Sequence, residues 1–120
     1  MGSRIHRKFI YMQAPMLSGL AASAGVAEGR VQVFLPGSNC GEFQEGNILV
    51  TTLTDPTMIQ AILKAAAIVT DMGGITSHPA IISREMGIPC VVNTKEATKI
   101  LKSGARVRVD GAAGEIYALD

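Results

Sequence analysis

Two short apolar runs, AAIVT (66–70) and IPCVV (88–92), bracket a segment that opens on Gly73-Gly74, carries Thr76-Ser77-His78 and stops at Gly87. Continuous apolar runs of strand length describe strands covered on both faces, and antiparallel strands with one wet face alternate instead. The segment between them has a capping pair, an apolar stretch and a glycine stop, which together read as a helix. Strand, helix, strand is the pattern of a parallel crossover. The chain therefore contains a stretch of parallel sheet, and that requires helices or further strands to cover its faces.

The remaining elements fit around this unit. Residues 30–35 (RVQVFL) alternate with strand period and end at Pro36-Gly37, and residues 48–52 form a second strand. Asp55-Pro56 starts a helix, with Asp as N-cap, Pro in the first turn, and Met58, Ile59, Ile62 and Leu63 as its apolar stripe. Thr94 caps a short helix ending near Lys102, and 107–109 with 115–118 form a closing hairpin. Residues 17–27 are mostly small, with glycines suited to turns or close backbone approach. Antiparallel early strands beside a parallel unit give an α/β chain with a partly parallel central sheet, arranged as a three-layer β/β/α sandwich.

At 120 residues the chain holds one domain with a real core. Apolar residues make up 48% and aromatics 4%, so that core is aliphatic. Basic and acidic residues number 11 and 10, and Arg4, Arg7 and Lys8 crowd the start. The body is near neutral, which excludes the basic stripe of a nucleic-acid binder. No apolar window is long enough to span a membrane, and the start lacks a signal-peptide core. Cys40 and Cys90 have no second Cys or His at metal-ligand spacing, so no metal site is expected, and reduced thiols point to the cytoplasm. Residues 1–13 read as a flexible N-terminal segment or a remnant of cloning, and 14–120 as the domain.

His78 is the candidate for chemistry, since His6 is the only other histidine. It falls in the first turn of the helix behind the glycines, where free N–H groups and the helix dipole favour an anion. The same setting disfavours imidazolium and keeps the ring nucleophilic. Gly73 and Gly74 present no Cβ to an approaching phosphate, and Thr76 or Ser77 can cap the helix. Arg84 lies about 1.7 turns further on and faces His78 only approximately. Locally two readings stand: a capping-region histidine in a common Gly-Gly turn, or a phosphoryl acceptor.

The whole run GGITSHPAIISREMGIPCVV resembles the phosphohistidine motif of the PEP-utilising enzymes. Upstream, GNILVTTLTDPTMIQAILKAAAIVTD is similar to that family's strand, helix start and strand, and VRVDGAAGEIY to its closing hairpin. The resemblance runs from Leu17 to Asp120. It implies a swivelling phosphohistidine domain that carries phosphate on His78, with Thr76 as the motif threonine and Thr54 as a group near the imidazole. Gly73, Gly74, Ser77 and Arg84 would then surround the phosphate. In such enzymes the domain moves between an ATP-grasp nucleotide-binding domain and a PEP/pyruvate-binding barrel. Both are absent here, so the chain itself is expected to bind no cofactor, with ATP and Mg on those partners.

Pro79, Cys90 and Asn93 depart from the family pattern. Pro79 is tolerated in a first helical turn and hints at an acceptor other than pyruvate, as in a phenylphosphate-synthase-like carrier subunit. A non-catalytic binding module of the same fold is the remaining alternative.

Overall fold

In a computed structural model, residues 14–119 are described; the expectation for residues 1–13 lies outside the described residues. The strands are β1 (Leu17–Ser18), β2 (Leu20–Ser23), β3 (Val26–Val33), β4 (Ile48–Thr51), β5 (Ala67–Thr70), β6 (Cys90–Val92), β7 (Arg106–Asp110) and β8 (Glu115–Ala118). A 3-10 turn at Pro56–Met58 runs into α1 (Ile59–Lys64), and α2 (His78–Met86) and α3 (Ala97–Ile100) follow. All strands join one sheet in the order β1-β8-β7-β3-β4-β5-β6-β2. β3–β4, β4–β5 and β5–β6 are parallel, and the other pairs are antiparallel. The partly parallel sheet is thus as the sequence implies. The two kinds of pairing are joined in one continuous sheet, because β3 serves both: residues 26–30 pair with β7 and 31–33 with β4.

The first and last strands of that order, β1 and β2, are separated in sequence only by Gly19. The sheet therefore curls until its edges nearly meet. These two strands fall in the small-residue stretch from which the sequence predicts turns or close backbone approach; at two and four residues they are too short to show a period.

Side chains alternate between two cores. Ile48, Val50, Ala67, Val69 and Val91 point to the face shared with Val107, Val109 and Ile116 from the antiparallel strands. Leu49, Ile68, Cys90 and Val92 point to the opposite face, against Met58, Ala61 and Ile62 near α1 and Ala80 of α2. Both faces of the parallel strands are covered, which is why their sequences are continuous apolar runs.

Helix boundaries follow local chemistry. The Asp55 carboxylate accepts the Thr57 N–H at 2.8 Å and caps the Pro56 turn. The α1 stripe needs correction: Met58 and Ile62 are buried, but Ile59 and Leu63 are exposed and Ala61 takes the inward position. The 3-10 first turn advances the chain faster than an α-turn and rotates the buried face. α2 ends on Gly87, as predicted, with φ of 73°.

Candidate functional site

The carboxyl ends of β4 and β5 converge beneath the start of α2. Beyond the strands the ladder continues through Asp71 N–H to Thr51 C=O (3.1 Å) and Met72 N–H to Thr52 C=O (3.0 Å). The chain leaving β4 thus carries Thr54 alongside the chain leaving β5, which turns at Gly73-Gly74 into His78. Crevices at the carboxyl ends of parallel strands are where α/β sheets bind ligands.

His78 and Thr54, 24 residues apart, meet there: Thr54 Oγ1 lies 2.8 Å from His78 Nδ1. Thr54 is buried and His78 exposed. The imidazole is therefore anchored on its Nδ1 side, and Nε2 is the ring nitrogen away from Thr54. Of the residues assigned to the site from sequence, this pair is joined across the longer stretch of chain, and Ser77 is joined locally to Gly74.

The turn itself is held from inside. Ser77 stands at the N-cap position, but its hydroxyl does not cap; it donates to Gly74 C=O at 2.6 Å, reinforcing the Ser77 N–H bond to the same oxygen at 3.0 Å. Gly73 has φ of 112°, and a Cβ there would lie 2.8 Å from Ser77 Oγ and 3.3 Å from Leu53 Cδ1. The first glycine is therefore required by geometry. At Gly74 a Cβ would meet nothing within 4 Å, so that side of the turn is open. Thr76 is exposed.

Pro79 occupies the first turn of α2 and is buried. It removes one N–H from the helix start, while Ile81 N–H is bonded to Ser77 C=O at 3.0 Å. The amides of His78 and Ala80 are the remaining donors of that first turn, two rather than three.

Arg84, expected beside a phosphate, has another placement. Its Nη1 donates to Ala22 C=O at 2.8 Å and its Nη2 to Ile75 C=O at 2.6 Å. The sequence spacing suggests neither partner, because one lies 62 positions upstream.

A neighbouring loop packs on the end of β5; its Thr94 hydroxyl meets the start of α3 as the sequence predicts, though the helix stops at Ile100 rather than near Lys102, and the contribution of Asp71 is not foreseen. The Asp71 carboxylate accepts Thr98 N–H at 2.8 Å and Thr98 Oγ1–H at 2.6 Å, capping α3 from a distance. Thr94 Oγ1 accepts Ala97 N–H at 3.2 Å and donates to Thr70 C=O at 2.9 Å. Asn93 and Lys95 flank it with φ of 57° and 73°. Asparagine is the side chain that best tolerates the left-handed region, which accounts for Asn93 where the resembled family more often has glycine. The sequence signal was an acid directly after an apolar strand, a position that commonly serves a neighbouring helix.

Cys90 is buried beneath α2, and burial pushes its thiol up to about 11, with the Ser83 hydroxyl and the Arg84 charge pulling weakly the other way. Both cysteines are free. Among the described residues there is no cluster of three His, Cys, Asp or Glu able to hold a metal ion, and no helix long and apolar enough to cross a membrane.

Comparison with known proteins agrees with this geometry. Residues 43–114, which include Thr54, the glycine turn and α2, match the family described as "PEP-utilising enzyme, mobile domain". Phosphoenolpyruvate synthase of Pyrococcus furiosus is 59% identical over 102 residues, 85% of this chain but 12% of that protein. The chain thus spans about one eighth of that relative's length. In solved structures, Enzyme I in solution superposes with a TM-score of 0.59 at 30% identity, over 69% of this chain and 35% of that one. Aconitase X of Thermococcus kodakaraensis gives 0.64 at 25% identity, over 89% of this chain and all of the other. With the match centred on the turn that joins His78 to Thr54, the chain belongs to the family of PEP-utilising enzyme mobile domains.

Proposed function

We propose that this domain is the phosphoryl carrier of a phosphoenolpyruvate-synthase-like, dikinase-type phosphotransferase and that His78 Nε2 is the atom that carries the phosphoryl group. The observation that supports this most directly is the Thr54 Oγ1–His78 Nδ1 contact of 2.8 Å. When Nδ1–H donates to Thr54, the Nε2 lone pair is free, and the neutral tautomer is the nucleophilic one. Nε2 attacks phosphorus, the N–P bond forms, and the P–O bond to the donor breaks with its electron pair leaving on the donor oxygen. The ring becomes a phosphoimidazolium whose remaining proton stays on Nδ1, still held by Thr54. Delivery to an acceptor oxygen is the same step in reverse.

His78 and Ala80 N–H groups and the α2 dipole favour the new dianion by about 0.5–2 kcal/mol. Exposure of the imidazole suits a carrier that must enter two other sites. Those sites are an ATP-grasp domain, where ATP and Mg are held, and a PEP/pyruvate-binding barrel, between which the domain swivels in the cytoplasm. Thr76, exposed in the same turn, flanks the phosphoryl group. Alone, the domain carries phosphate but completes no cycle.

A binding module without phosphoryl chemistry is the second reading, and the likeness to aconitase X across the whole fold favours it. The two separate in one experiment. The chain is incubated with 32P-phosphoenolpyruvate and a phosphoenolpyruvate synthase whose own mobile-domain histidine has been replaced. Acid-labile, base-stable label is expected on this chain, retained by H6A and lost in H78A. Label that survives H78A overturns the assignment.

A further inference from the structure

β2 pairs with β6 through Leu20–Val92, Ala21–Val91 and Ser23–Cys90, so Ala22 is an extra residue with no partner across the ladder. A bulge of this kind frees a main-chain group from the sheet. Ala22 is buried at that point, and its carbonyl is taken by Arg84 Nη1 at 2.8 Å. The other arm of the same guanidinium holds Ile75 C=O, within the turn, at 2.6 Å. Bulge, arginine and turn thus form one strut from the sheet edge to the loop that carries His78.

We infer that Arg84 is a positioning residue for phosphoryl transfer, acting through the turn rather than as a ligand of the phosphate. This rests on the phosphohistidine reading of His78. In a trans peptide the C=O and the following N–H point in opposite directions. Fixing Ile75 C=O on Arg84 therefore fixes the direction of the Thr76 N–H, and with it the path of the chain into His78. Ser77 braces the same turn at Gly74 C=O, so consecutive peptide planes are each held by a separate donor. The two acceptors lie on different elements, and a planar fork of donors spans them where a single ammonium does not. Both arms are occupied by carbonyls, so charge alone does not account for the residue.

The test compares R84K, which keeps the charge, with R84M, which does not, using the labelled-phosphoenolpyruvate transfer assay. A strut predicts that both slow the transfer at saturating donor by about tenfold or more, with little change in the donor concentration needed for half-maximal rate. Both variants should also displace the Thr76 amide resonance and speed its hydrogen exchange in the unphosphorylated chain, with the other amide signals retained. In the unsubstituted chain, the Arg84 Nε–H resonance should stay in place when His78 is phosphorylated. R84K transferring at the original rate while R84M fails, or an Arg84 resonance that moves on phosphorylation, identifies a phosphate ligand and overturns the strut. Absence of label on the unsubstituted chain counts against the carrier reading instead, and the Thr76 measurements on unphosphorylated protein still decide whether the strut exists.

Discussion

His78 and Thr54 show how a site can be half legible. The histidine stands out because the chain has so few, and its place behind two glycines at a helix start has a physical meaning. The threonine has no local signature, and only resemblance pointed to it; the parallel pairing of β4 with β5 is what brings it to 2.8 Å. If its oxygen selects the Nδ1–H tautomer, T54V should slow His78 phosphorylation by about tenfold, the equivalent of one hydrogen bond of ~1.4 kcal/mol. T54S should keep most of the rate. Ring 15N shifts check the cause directly: Nε2 protonation should rise in T54V and not in T54S. Cys90 offers a second test at this scale. Burial raises its folded value to about 11 from 9.0, so the unfolded chain loses the proton first as pH rises. Stability should then fall across pH 9 to 11, by roughly 2–3 kcal/mol in all. In C90A, denaturant melts over that range should show the slope reduced by this share, and stability below pH 8 lowered only by the small cavity.

Among the elements, those with strong local signals were readable and those defined by partners were not. Asp55-Pro56, the apolar strands and the Gly87 stop carry their own chemistry. The buried face of α1, the remote cap that Asp71 gives α3 and the bulge at Ala22 depend on neighbours distant in sequence. The glycine turn lies between these cases, since both glycines were visible but their roles differ. G73A forces a side chain into a left-handed backbone and against Ser77 and Leu53. It should cost about 1–3 kcal/mol and loosen the turn, so that phosphorylation of His78 falls along with the melting temperature. G74A places its methyl in open space at negative φ and should melt close to the unsubstituted protein. Equal losses in both would mean that the turn is held by something other than the Gly73 conformation and the Ser77–Gly74 bonds.

At the scale of the molecule, the sheet closes by backbone contact rather than by side-chain packing. Gly19 N–H donates to Gly114 C=O at 2.9 Å, and Gly111 N–H to Gly25 C=O at 2.7 Å. A Cβ on Gly19 would stand 2.3 Å from Val92 O, and one on Gly111 1.9 Å from Ser23 O and 3.1 Å from Cys90 N. These neighbours are main chain inside paired strands and cannot turn aside. G111A and G19A should therefore each destabilise by about 3 kcal/mol or more, lowering the melting temperature by over about 10 °C for a domain of this size. Both substitutions prise apart the same seam, where β2 on β6 meets the β7–β8 hairpin. Once one has opened it, the second meets less resistance, so the double variant should lose clearly less than the sum of the two. Additive losses would show two independent contacts and no common closure. A shared seam also predicts an effect at the site. Ala22 lies on the strand being displaced and is one end of the Arg84 strut, so G111A, assayed below its melting range, should speed exchange of the Thr76 amide as R84M does. Thr76 exchange unchanged in folded G111A would separate closure of the sheet from alignment of the turn.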